Sequence, residues 1–321
     1  MTATSDRLTP QMVRDALAVG DASLQRRANV EYHDWEAASY DAKWSISYDE
    51  RCVAYARDRF VHVAGRAGWP YGDALEIGCG TGFFLLNLAQ AGVLERGYLT
   101  DISPGMVAAA ERNAHALGLS VGGRVAGAEQ LPYDDGSFDL VVGHAVLHHI
   151  PDVELALREV LRVLRPGGRL VFAGEPTRRG DLVARRLSRL TWHAATRLSR
   201  LPPLRERWAR PRAELAAASE AAALEYVVDL HTFDPRELAR TALRAGAVDV
   251  RTVTEELTAS WFSWPVRTFQ YAVNPDRLGL RWAQFAYRSW QRLSALDEHV
   301  LGRVVPAELF YNVCVTGTKP G

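Results

Sequence analysis

From residue 74 onward, apolar positions fall into short runs of strand length, at 74–77, 96–100, 123–126, 138–142 and 169–173. Between them, near 83–91, 104–117 and 153–164, apolar residues recur with a helical period. Apolar runs that alternate with helices in this way form βαβ units and a parallel sheet. Pro166-Gly167-Gly168 is expected to close the last of these helices and turn the chain into its strand. Residues 1–70 read as mostly helical, with aromatic side chains crowded into EYHDWEAASYDAKWSISYDE. After Glu175 the alternation breaks. Residues 178–225 read as helical and arginine-rich, a helix and strand follow at 235–245 and 248–254, and a tryptophan-rich stretch at 257–305 precedes a last β-run at 311–316.

The run at 74–77 ends in ALEIGCGTGFF, with glycines at 78, 80 and 82 and an acid, Glu76, at the edge. Glycines so placed let the backbone take positive φ and let a ligand lie against the main chain. The helix that follows would point its free amides at the crevice. A dinucleotide site uses G-x-G-x-x-G, and G-x-G-x-G misses that template by one residue. S-adenosylmethionine carries no phosphate; it needs close backbone approach and acceptors. Glu76 suits its cationic amino group. Asp101, which ends the next β-run 19 residues after Gly82, suits the ribose hydroxyls.

ALEIGCGTG, TDISPGM, AEQLPYDDGSFDLVV and LREVLRVLRPGGRLVFAGEP stand in that order over about residues 74–176. The set resembles the motifs of class I S-adenosylmethionine-dependent methyltransferases, in the branch of quinone-biosynthesis and small-molecule enzymes. The resemblance implies a doubly wound α/β fold: a Rossmann-like, mostly parallel seven-stranded sheet with an antiparallel last strand, plus helical cap insertions. It implies a helical cap over 1–70, a cofactor-binding core over 71–177, a basic insertion over 178–225, a core continuation over 226–256, a tryptophan-rich insertion over 257–305 and a final core strand over 306–321. It further implies that Glu76, Gly78, Gly80 and Gly82 line the methionine end and that Asp101 takes the ribose. Ile102 would pack on the adenine, with Ala128 and Glu129 at its edge. Many relatives carry an acid just before that Ala-Glu pair; here Gly127 stands there.

Methyl transfer from a sulfonium is an in-line displacement. The protein supplies alignment, and a base only where the acceptor must lose a proton. Ligands in open α/β sheets gather at strand C-termini, which points to FDLVVGHAVLHHI. His144 ends that strand and His148 and His149 follow one turn later; His33 lies in the EYHDW segment of the cap, and Glu175 ends the fifth run. Imidazole has the proton affinity for deprotonating a phenol or hydroxyl, so His144, His148 and His33 are the candidate catalytic residues. No metal is expected: no cysteine lies near these histidines, and adjacent residues of one element point in different directions.

Composition narrows the partners. With 38 basic and 38 acidic residues the chain has no net field for nucleic acid, and GHAV stands where base-amine methyltransferases carry an Asn-Pro-Pro-Tyr type tetrad. The expected acceptor is therefore a small molecule, aromatic or lipidic. Charge is nonetheless uneven: residues 178–212 hold eleven arginines against Asp181 and Glu206, a local net of +9. Val183, Leu187, Leu190, Ala194, Leu198 and Leu201 mark one helical face there. Such a helix lies on an anionic membrane, covers an acidic substrate, or packs its stripe on the domain. The tryptophan-rich stretch either lines an acceptor pocket or forms the core of a cap. Cys52, Cys79 and Cys314 make neither a disulfide framework nor a zinc spacing, and no signal-peptide core or membrane-length apolar run is present. The expected setting is cytoplasmic, at most peripheral to a membrane. Two rival readings are a nicotinamide-dependent oxidoreductase, disfavoured by the glycine spacing and the lack of a Tyr-x-x-x-Lys pair, and a non-catalytic cofactor-binding module at a membrane.

Overall fold

The structure is a computed structural model that describes residues 22–216, 218–219 and 228–321. Its centre is β1 (Tyr71–Ile77), buried almost throughout. β1 pairs in parallel with β2 (Leu94–Asp101) on one side and β4 (Phe138–His144) on the other. With β3 (Val121–Val125), β5 (Leu164–Pro176), β6 (Val248–Glu255) and β7 (Asn312–Thr318), the sheet order is β3-β2-β1-β4-β5-β7-β6. β7 runs antiparallel to both of its neighbours, as the resemblance implied. The order reverses between β1 and β4, and a ligand crevice opens at the carboxyl ends of strands at such a switch point.

Helices cover both faces. On one, α6 (Val153–Val163) and α9 (Pro235–Ala245) press Leu157, Val160, Leu161 and Leu238 onto Leu75, Val141, Phe172 and Val315. On the other, α3 (Glu50–Ala64), α4 (Phe83–Gln90) and α5 (Pro104–Ala116) bury Phe60, Phe84, Leu85 and Ala110 against Leu99, Val142 and Val171. Helix starts follow local chemistry: Ser103 caps α5 ahead of Pro104, and Asp152 caps α6. Pro166-Gly167-Gly168 does not end a helix. α6 already stops at Val163, and the triplet sits inside β5 as a bulge, where the register jumps from Phe138–Leu164 to Leu140–Arg169 and Gly167 takes φ +77°.

α1 (Ala22–Glu36) and the short α2 (Tyr40–Trp44) precede α3 on the ligand side of the sheet. The cap contains α7 (Arg178–Leu198), α8 (Pro202–Trp208), α10 (Thr258–Ala272) and α11 (Leu280–His299). α7 contacts α10 through small residues: Ala195 meets Ala272 and Val273, with Trp192, Trp208, Phe269 and Leu278 around them. The leucine stripe read from the sequence is not the buried face of α7, which is Gly180, Ala184 and Ala195 instead. The tryptophans pack within the cap, as in Phe269–Trp282 at 5.2 Å, or against the core, as in Trp264–Tyr311 at 5.4 Å. No described helix is long and apolar enough to cross a membrane.

Candidate functional site

The loop after β1 takes positive φ at each of its three glycines, +57° at Gly78, +50° at Gly80 and +87° at Gly82. They do different work. A Cβ on Gly78 would stand 2.0 Å from the Val146 side chain, so the loop after β1 and the loop after β4 meet there with no room for a side chain. Gly80 faces open space near Tyr40. Gly82 does not line the cavity, contrary to the expectation. It caps α4, and its Cβ would meet Leu86 and Ala110, so it serves helix packing.

Glu76, Gly78, Gly80, Asp101, Ile102, Ala128 and Glu129 do line one cavity at the switch point, whose empty space is about 940 Å³ including its open mouth. Asp101 is the hub. Its Oδ2 accepts from Gly80 N at 2.9 Å and its Oδ1 from Ser103 N at 2.9 Å, so one carboxylate sets both the glycine loop and the start of α5. Burial raises its pKa to about 6, with those two amides opposing the rise. Glu76 is enclosed further, and burial pushes it up to about 8 although its Oε2 accepts from Leu85 N at 3.1 Å. A first-turn amide of α4, that of Leu85, thus goes to Glu76, where the sequence reading aimed such amides at the ligand. Two buried polar atoms on the cavity wall, Asn29 Oδ1 and Thr81 Oγ1, have no hydrogen-bond partner among the described residues. Buried acceptors without donors are rare in folded chains unless a ligand or water supplies them. Two carboxyls, two orphaned oxygens and a main-chain cradle suit a cationic, hydroxyl-rich nucleoside, and so fit S-adenosylmethionine.

α1 closes the cavity and supplies residues that the sequence reading missed. Asp34 Oδ1 accepts from Gly105 N at 2.8 Å and from the Ser103 hydroxyl, which pins α1 to the start of α5. Arg26 pairs with Glu129 at 3.1 Å, so the carboxylate expected at the adenine edge is held by the lid. Asn29 Nδ2 donates to the His149 carbonyl at 3.1 Å. Each contact spans 69 residues or more, and no local pattern announces it.

The histidines separate into three environments. His144 lines the cavity wall inside a cage of Tyr55, Phe83 and Phe84. Burial, with the Arg59 guanidinium near it, lowers its pKa to about 3. Arg59 Nη1 lies 3.4 Å from His144 Nε2, and a guanidinium can only donate, so that nitrogen's lone pair is occupied. A neutral, committed imidazole replaces the near-neutral base expected there. His148 is turned away from the cavity. Its Nδ1 binds Glu175 Oε2 at 2.8 Å and its Nε2 faces Asp229 at 3.7 Å. Its neighbour His149 faces in and forms an edge contact with His33, ring centres 5.2 Å apart. Burial lowers His149 to about 4 and holds His33 well below its ordinary value.

His148, His149 and Asp229 do come together, a grouping that the sequence reading, which weighed only the histidines and expected no metal, had not considered. Their partners here are supplied by the chain itself. His148 bridges two carboxylates, His149 Nδ1 donates to the Val228 carbonyl at 3.0 Å, and Arg185 reaches Asp229 at 3.7 Å. Glu175 anchors the turn, accepting from the amides of Val146, Leu147 and His148. It is a structural clamp behind the cavity and does not face it.

Residues 75–172 match the family described as Methyltransferase domain. Among curated proteins, a mitochondrial arginine hydroxylase (NDUFAF5) of Danio rerio is 32% identical over 50% of this chain and 46% of its own length. A demethylmenaquinone methyltransferase of Oceanobacillus iheyensis is 32% identical over 42% of this chain and 56% of its own. The 27-O-demethylrifamycin SV methyltransferase of Amycolatopsis mediterranei is 40% identical over 34% of this chain and 41% of its own. The chain thus spans about half the length of the curated relatives it matches. A solved structure of a sarcosine dimethylglycine methyltransferase homologue from Galdieria sulphuraria shares the fold, with a TM-score of 0.53 at 14% identity over 89% of this chain and 98% of that one. Residues 75–172 thus match a methyltransferase domain, in line with the resemblance of the sequence motifs to class I S-adenosylmethionine-dependent methyltransferases.

Proposed function

We propose that this chain moves a methyl group from S-adenosylmethionine to an oxygen, carbon or nitrogen of a small-molecule acceptor. The observation that carries the reading is the switch-point cavity, where Glu76, Asp101 and the unpartnered oxygens of Asn29 and Thr81 converge on a main-chain cradle. One relative hydroxylates arginine, so the reaction rests on chemistry beyond the shared domain. Label transfer from methyl-labelled S-adenosylmethionine into a small-molecule fraction tests it. No labelled product with any acceptor fraction would leave only the binding module.

Bound in this cleft, S-adenosylmethionine supplies a methyl already activated on sulfur. The chain's part is alignment, exclusion of water by α1, and receipt of a proton where the acceptor carries one. Of the four histidines considered, His149 is best disposed for the proton. Its Nδ1–H is fixed on the Val228 carbonyl, so its Nε2 carries a lone pair on the cavity side, with His33 beside it. Because both rings are weak bases, the proton passes to them only as the bond to methyl forms and makes the acceptor's X–H far more acidic. His149→Gln should lower kcat by roughly a hundredfold while leaving cofactor affinity within a factor of about three. Equal loss in both quantities, read by steady-state kinetics and calorimetry, would mean that His149 only shapes the cavity.

Glu76 gives a pH signature. Its raised pKa means that the ligand-free folded chain keeps a proton which the unfolded chain has released. Ligand-free stability therefore falls as pH climbs from about 4.3, the unfolded value, to about 8. A cationic ligand beside the carboxyl favours its ionised form. Binding should tighten with rising pH across the upper part of this range and release up to roughly one proton at pH 7. Calorimetry in two buffers of unequal ionisation heat reads the proton count; Glu76→Gln should erase it.

A further inference from the structure

We propose that the exposed face of α7, continued through α8, binds the surface of an anionic lipid bilayer. The stripe read from the sequence is real but unpartnered over its second half. Leu190, Leu198 and Leu201 are 67%, 55% and 48% exposed, and Ala194, between them on the same face, is exposed as well. Leu204 extends the row into α8. α7 meets α10 through the neighbouring small-residue face, so no described part of the cap needs these leucines.

Charge tells what covers the row. No acidic residue occurs between Asp181 and Glu206. Arg178, Arg185 and Arg210 are paired with Glu237, Asp181 and Glu214. Arg186, Arg189, Arg197, Arg200 and Arg205 are exposed and form no ion pair with any described residue. Arg186 lies one turn before Leu190, and Arg197 one turn before Leu201, so guanidinium groups flank the apolar row. The Asn274 amide on the Trp208 carbonyl, and Arg277 Nε on the Arg207 carbonyl, bring Arg277 and the 73% exposed Leu280 to the same end of the cap.

A leucine row between unpaired arginines matches an interfacial helix: apolar side chains enter the acyl boundary while guanidinium groups reach lipid phosphates. Nucleic acid would use the arginines and leave the leucines wet. A second copy would bring the same positive charge against itself. The bilayer is the occupant that satisfies both halves of the surface. The inference does not depend on methyl transfer, because the surface lies outside the cofactor cavity.

Co-sedimentation of the full chain with vesicles of phosphatidylcholine alone, or with one-third phosphatidylglycerol, tests it. Binding is expected to the anionic vesicles and not to the neutral ones. Triple replacement Arg186→Glu, Arg197→Glu and Arg200→Glu should cut the partition coefficient by at least a hundredfold, roughly fivefold or more per arginine. Leu198→Ser with Leu201→Ser should cut it about tenfold or more with the thermal midpoint unchanged. The proposal is overturned by equal partition onto neutral vesicles, by no binding at about 0.1 M salt, or by anionic binding that ignores the leucine changes. Duplex nucleic acid binding more tightly than vesicles would overturn it too, as would light scattering showing a dimer that the leucine changes dissolve.

Discussion

Asp101→Ala is expected to weaken S-adenosylmethionine binding by at least a hundredfold. The side chain ends β2 inside the cavity, and its two oxygens hold Gly80 N and Ser103 N. Ser103 in turn carries the Asp34 anchor of α1. Truncation therefore removes an acceptor for ribose hydroxyls and at the same time frees the glycine loop and loosens the lid. Two hydrogen bonds to a charged group at about 1.5 kcal/mol each give about 3 kcal/mol, or roughly two decades of affinity. Asp101→Asn separates the two roles. An amide oxygen can still accept from one of the two backbone amides while the other is left facing an NH2, so the thermal midpoint should fall less than in Asp101→Ala, while binding should fall about tenfold. Calorimetric titration with the cofactor and with its demethylated product reads both variants. Wild-type affinity in Asp101→Ala would remove the basis for placing the nucleoside in this cleft.

The centre of the sheet was legible in sequence because β1, β4 and β5 are buried on both faces. β1, β4 and β5 needed only their apolar runs, and α6 announced itself through the alternation of Leu157, Val160 and Leu161 with Arg158 and Arg162. The acids at strand ends were legible because Glu76 follows Ala74-Leu75 and Asp101 follows Tyr98-Leu99-Thr100, each a charge at the end of an uncharged run. Less visible was whatever depends on a distant partner. His148 and His149 are indistinguishable as letters. Glu175, 27 residues on, draws one behind the cavity, and the Val228 carbonyl fixes the other facing it. Gly82 reads like Gly78 and Gly80 until Ala110 is seen behind it.

α7 shows the converse limit. Its periodicity marks an apolar stripe, but a stripe does not say what it meets. Close contact with α10 selected the small residues Gly180, Ala184 and Ala195, which carry little hydrophobic signal, and left the leucines outside. Asp34, Asn29 and Arg26 are polar residues on a helix with a polar outer face, so nothing in their neighbourhood marks them as lid anchors. Likewise, His144 promised a base by its position at the end of β4. The cage of Tyr55, Phe83, Phe84 and Arg59 that removes its proton affinity is assembled from α3 and α4.

Removing the clamp behind that cavity should cost more stability than any other single change near the site. Glu175 is fully buried and accepts from Val146 N at 2.9 Å, Leu147 N at 3.0 Å, His148 N at 3.1 Å and His148 Nδ1 at 2.8 Å. The turn it holds carries a non-glycine residue at positive φ, Ala145 at +54°, and presents Val146 and His149 to the cavity. Glu175→Ala strands three amides and an imidazole where water cannot replace the carboxylate, a loss of about 4 kcal/mol. For a chain of this size that is a fall of roughly 8 °C in Tm, with cofactor binding lost alongside it. Burial alone would raise Glu175 and lower His148, but their pairing holds the carboxyl below its ordinary value and the imidazole above. The depressed carboxyl contributes stability above its unfolded value of about 4.3, lost as pH falls through its folded pKa. The raised imidazole contributes stability below about 6.5, lost as pH rises through its own folded value. The stability gap between wild type and Glu175→Ala should therefore peak between about pH 4.3 and 6.5 and narrow on both sides. Glu175→Gln keeps an acceptor for the amides but not the charge, so it should recover part of the stability with a flattened pH profile. Urea unfolding of the three proteins from pH 4 to pH 9 measures this, and a gap below about 1 kcal/mol, or one unmoved by pH, would mean that the turn holds itself without the carboxylate.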